Sequence, residues 1–498
     1  MFGTLAASAV SPILAMYIYN YVTYMSPKST LYGPGIFLPW AVISFLTAAV
    51  FWLVFDKKRI SHFSFFFFLF VAWIIWINIT SYFGHATERQ ISFKYDPAIK
   101  TLLASLLMFL VLNSRIRIEG LVIVIIASVG FFIGRGFIIT LLHGGGGLSV
   151  TGEVKTTLGD RNVFALVVWT LVPLLMWLAS YSTIFPRNKL FQMGLIGVAL
   201  ASIVTIVGTE SRGAVVAAPI FFAFFFIQSQ KKFAFLVFGI LAVAIVIAVA
   251  PQEWWDRIIS LSEGGVDASG QSRLNTWKWA WNYALAHPIT GGGFRVFTKN
   301  IDPLIGQWLE AHSVYFEVMA EHGFVGLFLF LSLMGGLAYS GFRLKKRCKP
   351  YPELHWAGDL GVKLSVSILL YLGAGAFLAV STHPITYDLA VLSMAVITIV
   401  NREIAGYQEA ERSQGSKLRF VSAPPAGSSE VSEEVPIDET GDANASEERS
   451  KRRAGPLSYM ERRQAAMAAS RAGDNEPDEA SPASRSWRAR NMRSSGGE

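Results

Sequence analysis

The chain has 498 residues, of which 52% are hydrophobic and 16% are charged, and its formal net charge is +8. Its charge-free apolar runs lie almost entirely before residue 401, and several, such as Phe63–Phe83, approach the ~20 residues that cross a bilayer, which excludes an ordinary soluble globular protein. The single cysteine, Cys348, excludes an intrachain disulfide and a cysteine-based metal site.

The apolar segments predict an all-α integral membrane protein of about twelve transmembrane helices. In chain order the predicted spans are Leu5–Tyr24, Ile36–Phe55, Phe63–Phe83, Ala98–Leu112, Glu119–Leu142, Asn162–Ser182, Lys189–Gly208, Arg212–Gln228, Phe233–Ala250, His322–Phe342, Gly361–Ser381 and Pro384–Val400. They divide the chain into N-terminal transmembrane helices (residues 1–250), a large loop with an amphipathic helix (251–321), C-terminal transmembrane helices (322–400) and a tail (401–498).

The charges of the short loops predict how these helices are oriented. The even-numbered connections are basic, with Lys57-Lys58-Arg59, Arg115 and Arg117, Arg187 and Lys189, Lys231-Lys232, and the run Arg343–Lys349. By the positive-inside rule these loops and both termini are cytoplasmic, so the net positive charge requires no nucleic-acid partner. The glycine-rich loop 143–161, the turn at Arg212 and the loop 251–321 are then on the outer side. No cleavable signal peptide is expected, because the N-terminus lacks a basic region and an A-x-A site.

Composition changes abruptly near Asn401. Apolar runs stop there, and Ser, Ala, Pro, Glu and Arg dominate the remaining residues. Such a segment cannot bury enough apolar surface to offset its ordering entropy, so we expect a disordered cytoplasmic tail. Its basic patches could touch anionic membrane lipid, although a solvated tail is the simpler expectation.

The first candidate functional feature is the turn Gly208–Ala214, which joins two apolar helices on the outer side. It places Arg212 at the edge of the bilayer core, where a charge is costly and therefore indicates function. A guanidinium presents a planar fork of donors that suits phosphate oxygens. The alternative is an interfacial arginine that pairs with Glu210, and the residues alone leave both interpretations open.

The second feature is a predicted helix in the long loop, beginning at Gln271. Its apolar residues follow helical spacing and include tryptophans, which is typical of a helix lying in the membrane interface: Leu274, Trp277, Trp281 and Leu285. Arg273 lies in its first turn, as either a phosphate-binding group or a solvated charge. The run Gly291–Gly293, ahead of Arg295, permits close backbone approach, a hinge or a phosphate cradle.

The third feature lies where the long loop re-enters the membrane. His312 is followed there by Tyr315, Glu317 and Glu321. Histidine is the side chain best suited to proton transfer near neutral pH, although a structural histidine is an equally good interpretation, and His383 is a weaker candidate. No HExxH, Walker A or GxSxG pattern stands out, so outward arginines with a histidine suit a reaction on a phosphate-bearing substrate without a cofactor.

In order and spacing, these motifs resemble the O-antigen ligase/polymerase superfamily of bacterial inner-membrane glycan transferases. The resemblance, over about residues 15–345, is carried by Ser211-Arg212-Gly213, by Arg273 ahead of the Trp-containing helix, by Pro288 with the Gly291–Gly293 run, and by His312–Tyr315 followed by Glu321–Gly326. More narrowly, the chain is similar to the O-glycosylation ligases associated with exosortase A systems. That similarity is carried by Tyr24–Pro27, Asp96-Pro97, Lys100–Leu103, the Gly144–Gly147 loop with Asp160–Asn162, and Pro251–Arg257.

The resemblance implies a helical bundle whose periplasmic loop caps a cavity open to the outer leaflet. It implies an undecaprenyl-pyrophosphate-linked glycan as donor, a lipid, protein or glycan hydroxyl as acceptor, and inversion without a metal ion. Carried over residue by residue, Arg212 and Arg273 would bind the pyrophosphate, and His312 would take the proton of the acceptor hydroxyl. Tyr315, Arg295 and Glu317 complete the predicted substrate-binding set.

Two alternatives remain at this point. A repeat-unit polymerase of the same superfamily would need the same donor site and differ mainly in the shape of its acceptor site. A lipid or polysaccharide transporter belongs to another class and would show internal repeats and charged mid-span segments. The polar residues gather instead on one asymmetric outer loop.

Overall fold

A computed structural model describes residues 11–26, 38–56, 63–143, 150–152, 156–186, 188–228, 232–233, 236–237, 239–240, 268–300 and 310–421. These residues fold into helices joined by turns, without a strand among them. The helices are α1 (Pro12–Met25), α2 (Trp40–Phe55), α3 (Phe65–Tyr82), α4 (Glu88–Val111), α5 (Arg115–His143), α6 (Arg161–Tyr181), α7 (Lys189–Gly208), α8 (Arg212–Gln228), α9 (Ala268–Ala286), α10 (Val314–Cys348), α11 (His355–Gly375) and α12 (Pro384–Val421). Two 3₁₀ turns, Val296–Lys299 and Pro352–Leu354, precede α10 and α11. The chain divides into two units, Met1–Arg419 and Phe420–Glu498, and the account below concerns the first.

Seven of the described helices are long and apolar enough to cross a membrane: α3, α5, α6, α7, α10, α11 and α12. The shorter helices α2 and α8 are also apolar. Both findings support a multi-pass membrane protein, whereas a total of about twelve crossings stays a prediction. The predicted ninth span, Phe233–Ala250, lies mostly outside the described residues.

Several helices begin earlier than the apolar pattern predicts, and the differences are largest for α4 and α10. α4 begins at Glu88 rather than near Ala98, because Thr87 and Gln90 form a reciprocal capping box at its start. α10 begins at Val314 rather than His322, so the end of the predicted loop belongs to the helix. In both cases a polar first segment precedes the apolar one, and tertiary contacts stabilise a helix that hydrophobicity alone would place later.

The last helix extends beyond the predicted membrane segment. α12 runs from Pro384 to Val421, so residues 401–421 are helical where the composition predicts disorder from residue 401. Strong helix formers such as Glu, Ala, Gln and Arg in this segment favour the continuation. The rest of the predicted tail, 422–498, lies outside the described residues.

The helix connections gather at two ends of the bundle. At one end, here the basic end, Arg117 pairs with Asp56 at 3.1 Å and Arg115 donates to the Tyr181 carbonyl. At the other, here the loop end, odd-numbered connections contact one another: His85 N–H donates to the Gly292 carbonyl and the His383 ring to the Thr157 carbonyl. Such alternation is what successive membrane crossings require, and the side of the membrane on which each end lies stays a prediction. Lys57–Arg59, Arg187 and Lys231 lie outside the described residues.

The core is one large apolar cluster at the centre of the helices and a small second cluster under the long loop. α10 packs against α3 and α11, and α11 against α6 and α8. The small cluster joins α9 to the start of α10 and consists of Ala280, Val296, Phe297, Ala311 and Ala320, flanked by Trp279, Tyr283 and Phe316. The loop is therefore packed onto the helix that follows it.

A backbone-to-backbone junction fixes the start of α10. Gly292 N–H and Gly293 N–H donate to the carbonyls of Ala320 and Glu321 at 2.9 and 2.8 Å. Phe324 N–H donates in return to the Pro288 carbonyl at 2.8 Å. Because these amides are already engaged, the glycine run allows close backbone approach and does not form a phosphate cradle.

The junction coincides with a break in α10 at Gly323. This residue has φ 71° and ψ −176°, outside the helical region, and a Cβ atom there would lie 2.0 Å from the Ile289 carbonyl oxygen. Only glycine combines this dihedral with this approach. The break sends the first turns of α10, with Glu317 and Glu321, along a different axis from the rest of the helix.

We expect Gly323→Ala to destabilise the protein by at least about 2 kcal/mol, because it adds backbone strain and a clash with a carbonyl that cannot move freely. Gly335→Ala is a matched control in the same helix, since a Cβ there meets nothing within 4 Å. Thermal unfolding of the purified protein in detergent should show a large loss for the first variant and little change for the second. Equal midpoints would contradict the role assigned to the junction.

Candidate functional site

His312 lies at the centre of the loop end. It precedes α10 and adopts φ 42°, a left-handed conformation that costs a non-glycine residue ~1–3 kcal/mol and is concentrated at functional sites. Its side chain is open to solvent on one side. Partial burial and the positive charge of Arg273 lower the pKa of His312, while Glu310 and Asp160 act in the opposite direction. The imidazole is therefore neutral at neutral pH and able to accept a proton.

Arg273 is brought to His312 by the packing of α9. Since this helix begins at Ala268, Arg273 lies in its second turn rather than its first. One turn later, the Trp277 indole N–H donates to the Ala311 carbonyl at 2.7 Å and its ring stacks on Phe316 at 5.2 Å. Trp277 is thus a packing residue that attaches α9 to the histidine loop.

The other apolar residues of the α9 stripe face outward. Leu274, Trp281 and Leu285 are each about half exposed, at 47%, 48% and 56%. An exposed apolar stripe beside apolar helices fits the predicted contact of this helix with the membrane interface. Of the four apolar residues, Trp277 therefore attaches the helix, and the other three form an apolar outer face.

The turn that carries Arg212 approaches the same place. Arg212 is the first residue of α8; its side chain lies outside the described part of the structure. The adjacent Gly213 lies against Phe377, whose ring centroid is 6.0 Å from that of Trp277. The Phe377 ring therefore lies between the backbone next to Arg212 and Trp277, the residue that attaches α9 to the His312 loop.

Glu210 belongs to the same turn and lies near a further cation, Arg161. It is buried, adopts φ 52° and lies 3.7 Å from the Arg161 guanidinium. The neighbouring Asp160 caps α6 by accepting the amide protons of Asn162 and Val163. The connection before α6 thus supplies a cation to Glu210 and an anion that acts on His312.

A cavity of about 220 Å³ lies next to the histidine loop. Its lining is mainly polar and comprises Lys94, Arg295, Phe297, Thr298, Glu310, Ala311, Glu317, Glu321, Ala379 and Thr382. Glu310 and Ala311 connect the cavity to His312, because they are the two residues before it in the chain.

Lys94 forms the buried wall of this cavity. Its Nζ atom lies 2.6 Å from Glu317 Oε1 and 2.8 and 2.7 Å from the two carboxylate oxygens of Glu321. Burial opposes the charge of the ammonium, but the two carboxylates outweigh burial and raise the pKa of Lys94. Each carboxylate also accepts a backbone N–H, from Ser381 to Glu317 at 2.9 Å and from Arg295 to Glu321 at 3.0 Å. Glu317, predicted to bind substrate, is therefore a buried wall residue.

Arg295 and Glu310 form another wall, in which Glu310 is the exposed side chain. The Arg295 guanidinium is 3.4 Å from Glu310 Oε1 and lies over the Phe93 ring at 5.5 Å. Arg295 itself has φ 64°, and the preceding Gly293 has φ 72°, so the chain turns sharply as it leaves the glycine run. Arg295, predicted to bind substrate, therefore lines the same cavity as Glu317.

Two of the predicted candidates have structural roles. The Tyr315 hydroxyl donates to the Leu372 carbonyl at 2.8 Å and attaches α10 to α11. Both ring nitrogens of His383 are engaged, Nε2 with the Thr157 carbonyl and Nδ1 with the Ile385 amide. Burial lowers the pKa of His383 to about 4, so this residue stays neutral and links two connections.

Sequence reasoning missed Lys94, which organises the cavity. The signal that could have found it is the pair Glu317 and Glu321, since two carboxylates one helical turn apart beside a membrane span require a cation. The sequence does not say which cation, because Lys94 is 223 residues from Glu317.

Comparisons with known proteins bear on two parts of the chain. Residues 196–331 match the model of a protein family described as O-antigen ligase, and residues 1–183 match a family of unknown function (DUF5935). The first match includes Arg212, Arg273 and His312, and the second includes Lys94. No curated protein matches the chain. The O-antigen ligase match supports the superfamily to which the sequence motifs point, that of membrane glycan ligases and polymerases.

We expect Lys94→Met to destabilise the protein by ~3–5 kcal/mol, because it leaves two buried carboxylates without a cation. Adding Glu317→Gln and Glu321→Gln to Lys94→Met removes the charges together and should recover most of that loss. Thermal unfolding of the single and triple variants in detergent measures the difference. If the triple variant is no more stable than Lys94→Met, the three residues do not act as one charge cluster.

Proposed function

We propose that the protein is a membrane glycan ligase that moves a glycan from undecaprenyl pyrophosphate to an acceptor hydroxyl on the periplasmic side of the bacterial inner membrane. The observation that carries the proposal is the strained His312, with Arg273 acting on its imidazole, within the segment that matches the O-antigen ligase family. The apolar helices supply the membrane context for a lipid-linked donor.

In the proposed reaction, neutral His312 accepts the proton of the acceptor hydroxyl as its oxygen attacks the anomeric carbon. The bond from that carbon to the pyrophosphate oxygen breaks, and undecaprenyl pyrophosphate leaves with the electron pair. Arg273 and Arg212 would bind the pyrophosphate and stabilise the charge that develops on the leaving oxygen. The inverted product follows from attack opposite the leaving group, and no metal ion or other cofactor takes part.

Several finer features belong to the same proposal. The basic end of the bundle faces the cytoplasm with both termini, which puts the loop end and His312 in the periplasm. The acceptor is a lipid, a protein or another glycan, and the enzyme is of the type associated with exosortase A systems. A polymerase would use the same three residues and transfer the glycan to a second donor-linked glycan.

We expect His312→Asn to abolish transfer while leaving the fold intact. Asparagine tolerates the left-handed conformation of residue 312 but cannot act as a base near neutral pH, so the variant separates chemistry from folding. The assay reconstitutes the purified protein with a polyprenyl-pyrophosphate-linked glycan and cell-envelope acceptors, with EDTA present. It follows the release of polyprenyl pyrophosphate and the transfer of glycan, and loss of at least about 100-fold in rate is expected.

The unfolding midpoint of His312→Asn in detergent, close to that of the wild type, is the control for folding. Transfer by His312→Asn at the wild-type rate would overturn the assigned role. Transfer onto a second donor-linked glycan would identify the polymerase. If the wild type releases no pyrophosphate while glycolipid crosses the bilayer, the protein is a transporter.

The pH dependence of transfer tests the coupling of Arg273 to His312. Protonated His312 cannot act as a base, so kcat/KM should fall as the pH drops through the pKa of His312. Partial burial and Arg273 both disfavour the protonated form, so that fall should occur below pH 6.5. Replacement of the cation in Arg273→Gln should raise the pKa of His312 and move the acid limb to higher pH. An unmoved acid limb in Arg273→Gln would show that the guanidinium does not act on His312.

A further inference from the structure

The cavity behind His312 is too small for a glycan chain or a lipid. Its volume of about 220 Å³ falls below the ~300–1,000 Å³ typical of sites for drug-sized ligands. It is nevertheless a concave, partly open space on which polar groups converge, as they do in small-molecule sites. The space therefore suits one compact polar group, about the size of a single sugar ring.

The walls of the cavity are held rigidly before any ligand arrives. Lys94 is fixed by three contacts of 2.6–2.8 Å with Glu317 and Glu321. The peptide of Arg295 is fixed by its N–H bond to Glu321 and by the glycine junction. Preorganised walls of this kind reduce the entropy lost on binding.

Glu310 is the carboxylate of the lining that remains most open to a ligand. Its side chain is 47% exposed, against 3% for Glu317 and 2% for Glu321. Its contact with Arg295, at 3.4 Å, is long for a hydrogen bond. A hydroxyl group can donate to a carboxylate and accept from a guanidinium at the same time, so a hydroxyl between Glu310 and Arg295 satisfies both.

The charges of the lining decide which ligands fit. Two cations, Lys94 and Arg295, face three carboxylates, Glu310, Glu317 and Glu321, so the lining has no excess of positive charge. An acidic group entering the cavity would meet the carboxylates, and like-charge contacts cost several kcal/mol. The pyrophosphate therefore belongs on the Arg273 side of His312. The Phe297 ring and the small residues Ala311 and Ala379 offer apolar surface to the C–H face of a ring.

We propose that this cavity is a subsite for one sugar ring that carries hydroxyl or amino groups and no acid group, held beside His312 by Glu310 and Arg295. The inference rests on the proposed glycan transfer and names the class of sugar next to the reacting position. Its lining includes the two residues before His312 but not Arg273, which favours the sugar of the acceptor over that of the donor.

The test measures binding in the absence of turnover, so it is independent of whether glycan transfer is observed. Saturation-transfer NMR with the full-length protein in detergent would compare methyl glycosides of glucose, galactose, mannose, glucosamine and glucuronic acid. We expect at least one neutral or amino glycoside to bind, and the glucuronide to bind at least about tenfold more weakly.

Two variants locate the binding in the cavity. Ala379→Leu fills part of the cavity and should weaken binding by about tenfold or more. Ala286→Leu, the same change at an exposed position at the end of α9, should leave binding unchanged. Glu310→Gln changes an exposed side chain without filling space and should also weaken binding, which keeps the test valid if Ala379→Leu does not fold.

Three results would overturn the subsite: no glycoside binds, the glucuronide binds as tightly as the neutral glycosides, or folded Ala379→Leu and Glu310→Gln both bind like the wild type. Addition of a polyprenyl-pyrophosphate-linked glycan then identifies the source of the sugar. Displacement of the bound glycoside assigns the cavity to the donor sugar, and retention assigns it to the acceptor sugar.

Discussion

The loop end is organised around the ammonium group of Lys94. Two buried carboxylates, Glu317 and Glu321, hold this cation from α10, and each accepts one further backbone N–H. A buried ion pair offsets its desolvation cost only when such additional hydrogen bonds satisfy the remaining lone pairs. Because those amides belong to Arg295 and Ser381, a single charge cluster joins α4, the end of the glycine run, the start of α10 and the connection before α12.

Backbone strain is concentrated at the same end of the molecule. Among the described residues other than glycine, positive φ occurs at Ser26, Glu210, Arg295 and His312, and all four lie in odd-numbered connections or directly beside them. Such conformations persist only where the surroundings over-determine them. The charge cluster and the glycine junction provide that constraint next to Arg295, and the attachment of Trp277 to the Ala311 carbonyl provides it next to His312. The strain thus places polar side chains at positions that a relaxed chain would not occupy.

The sequence predicts the helices well and the site only in part, for a physical reason. Apolar runs are a local signal, and they locate most of the described membrane helices. The polar first turns of α4 and α10 are stabilised by the capping box at Thr87 and by contacts with distant segments, so the local apolar pattern starts these helices too late, at Ala98 and His322. The role of Lys94 cannot be predicted from a local pattern, because its partners follow more than 200 residues later. The glycine run is visible as a motif, but its role depends on Ala320 and Glu321, which no spacing rule connects to it.

His312 lies at the boundary between two different electrostatic environments. On the α9 side, Arg273 contributes a cation that disfavours protonation of the imidazole. On the cavity side, cations and carboxylates offset one another, and Glu310 faces the open space. A transfer from a pyrophosphate to a hydroxyl needs this asymmetry, because the leaving group carries negative charge and the nucleophile starts neutral. A uniformly basic site would bind the donor but would also attract a second anion to the place where the acceptor should bind. The carboxylates around Lys94 disfavour an anion there, so this part of the site suits an uncharged group.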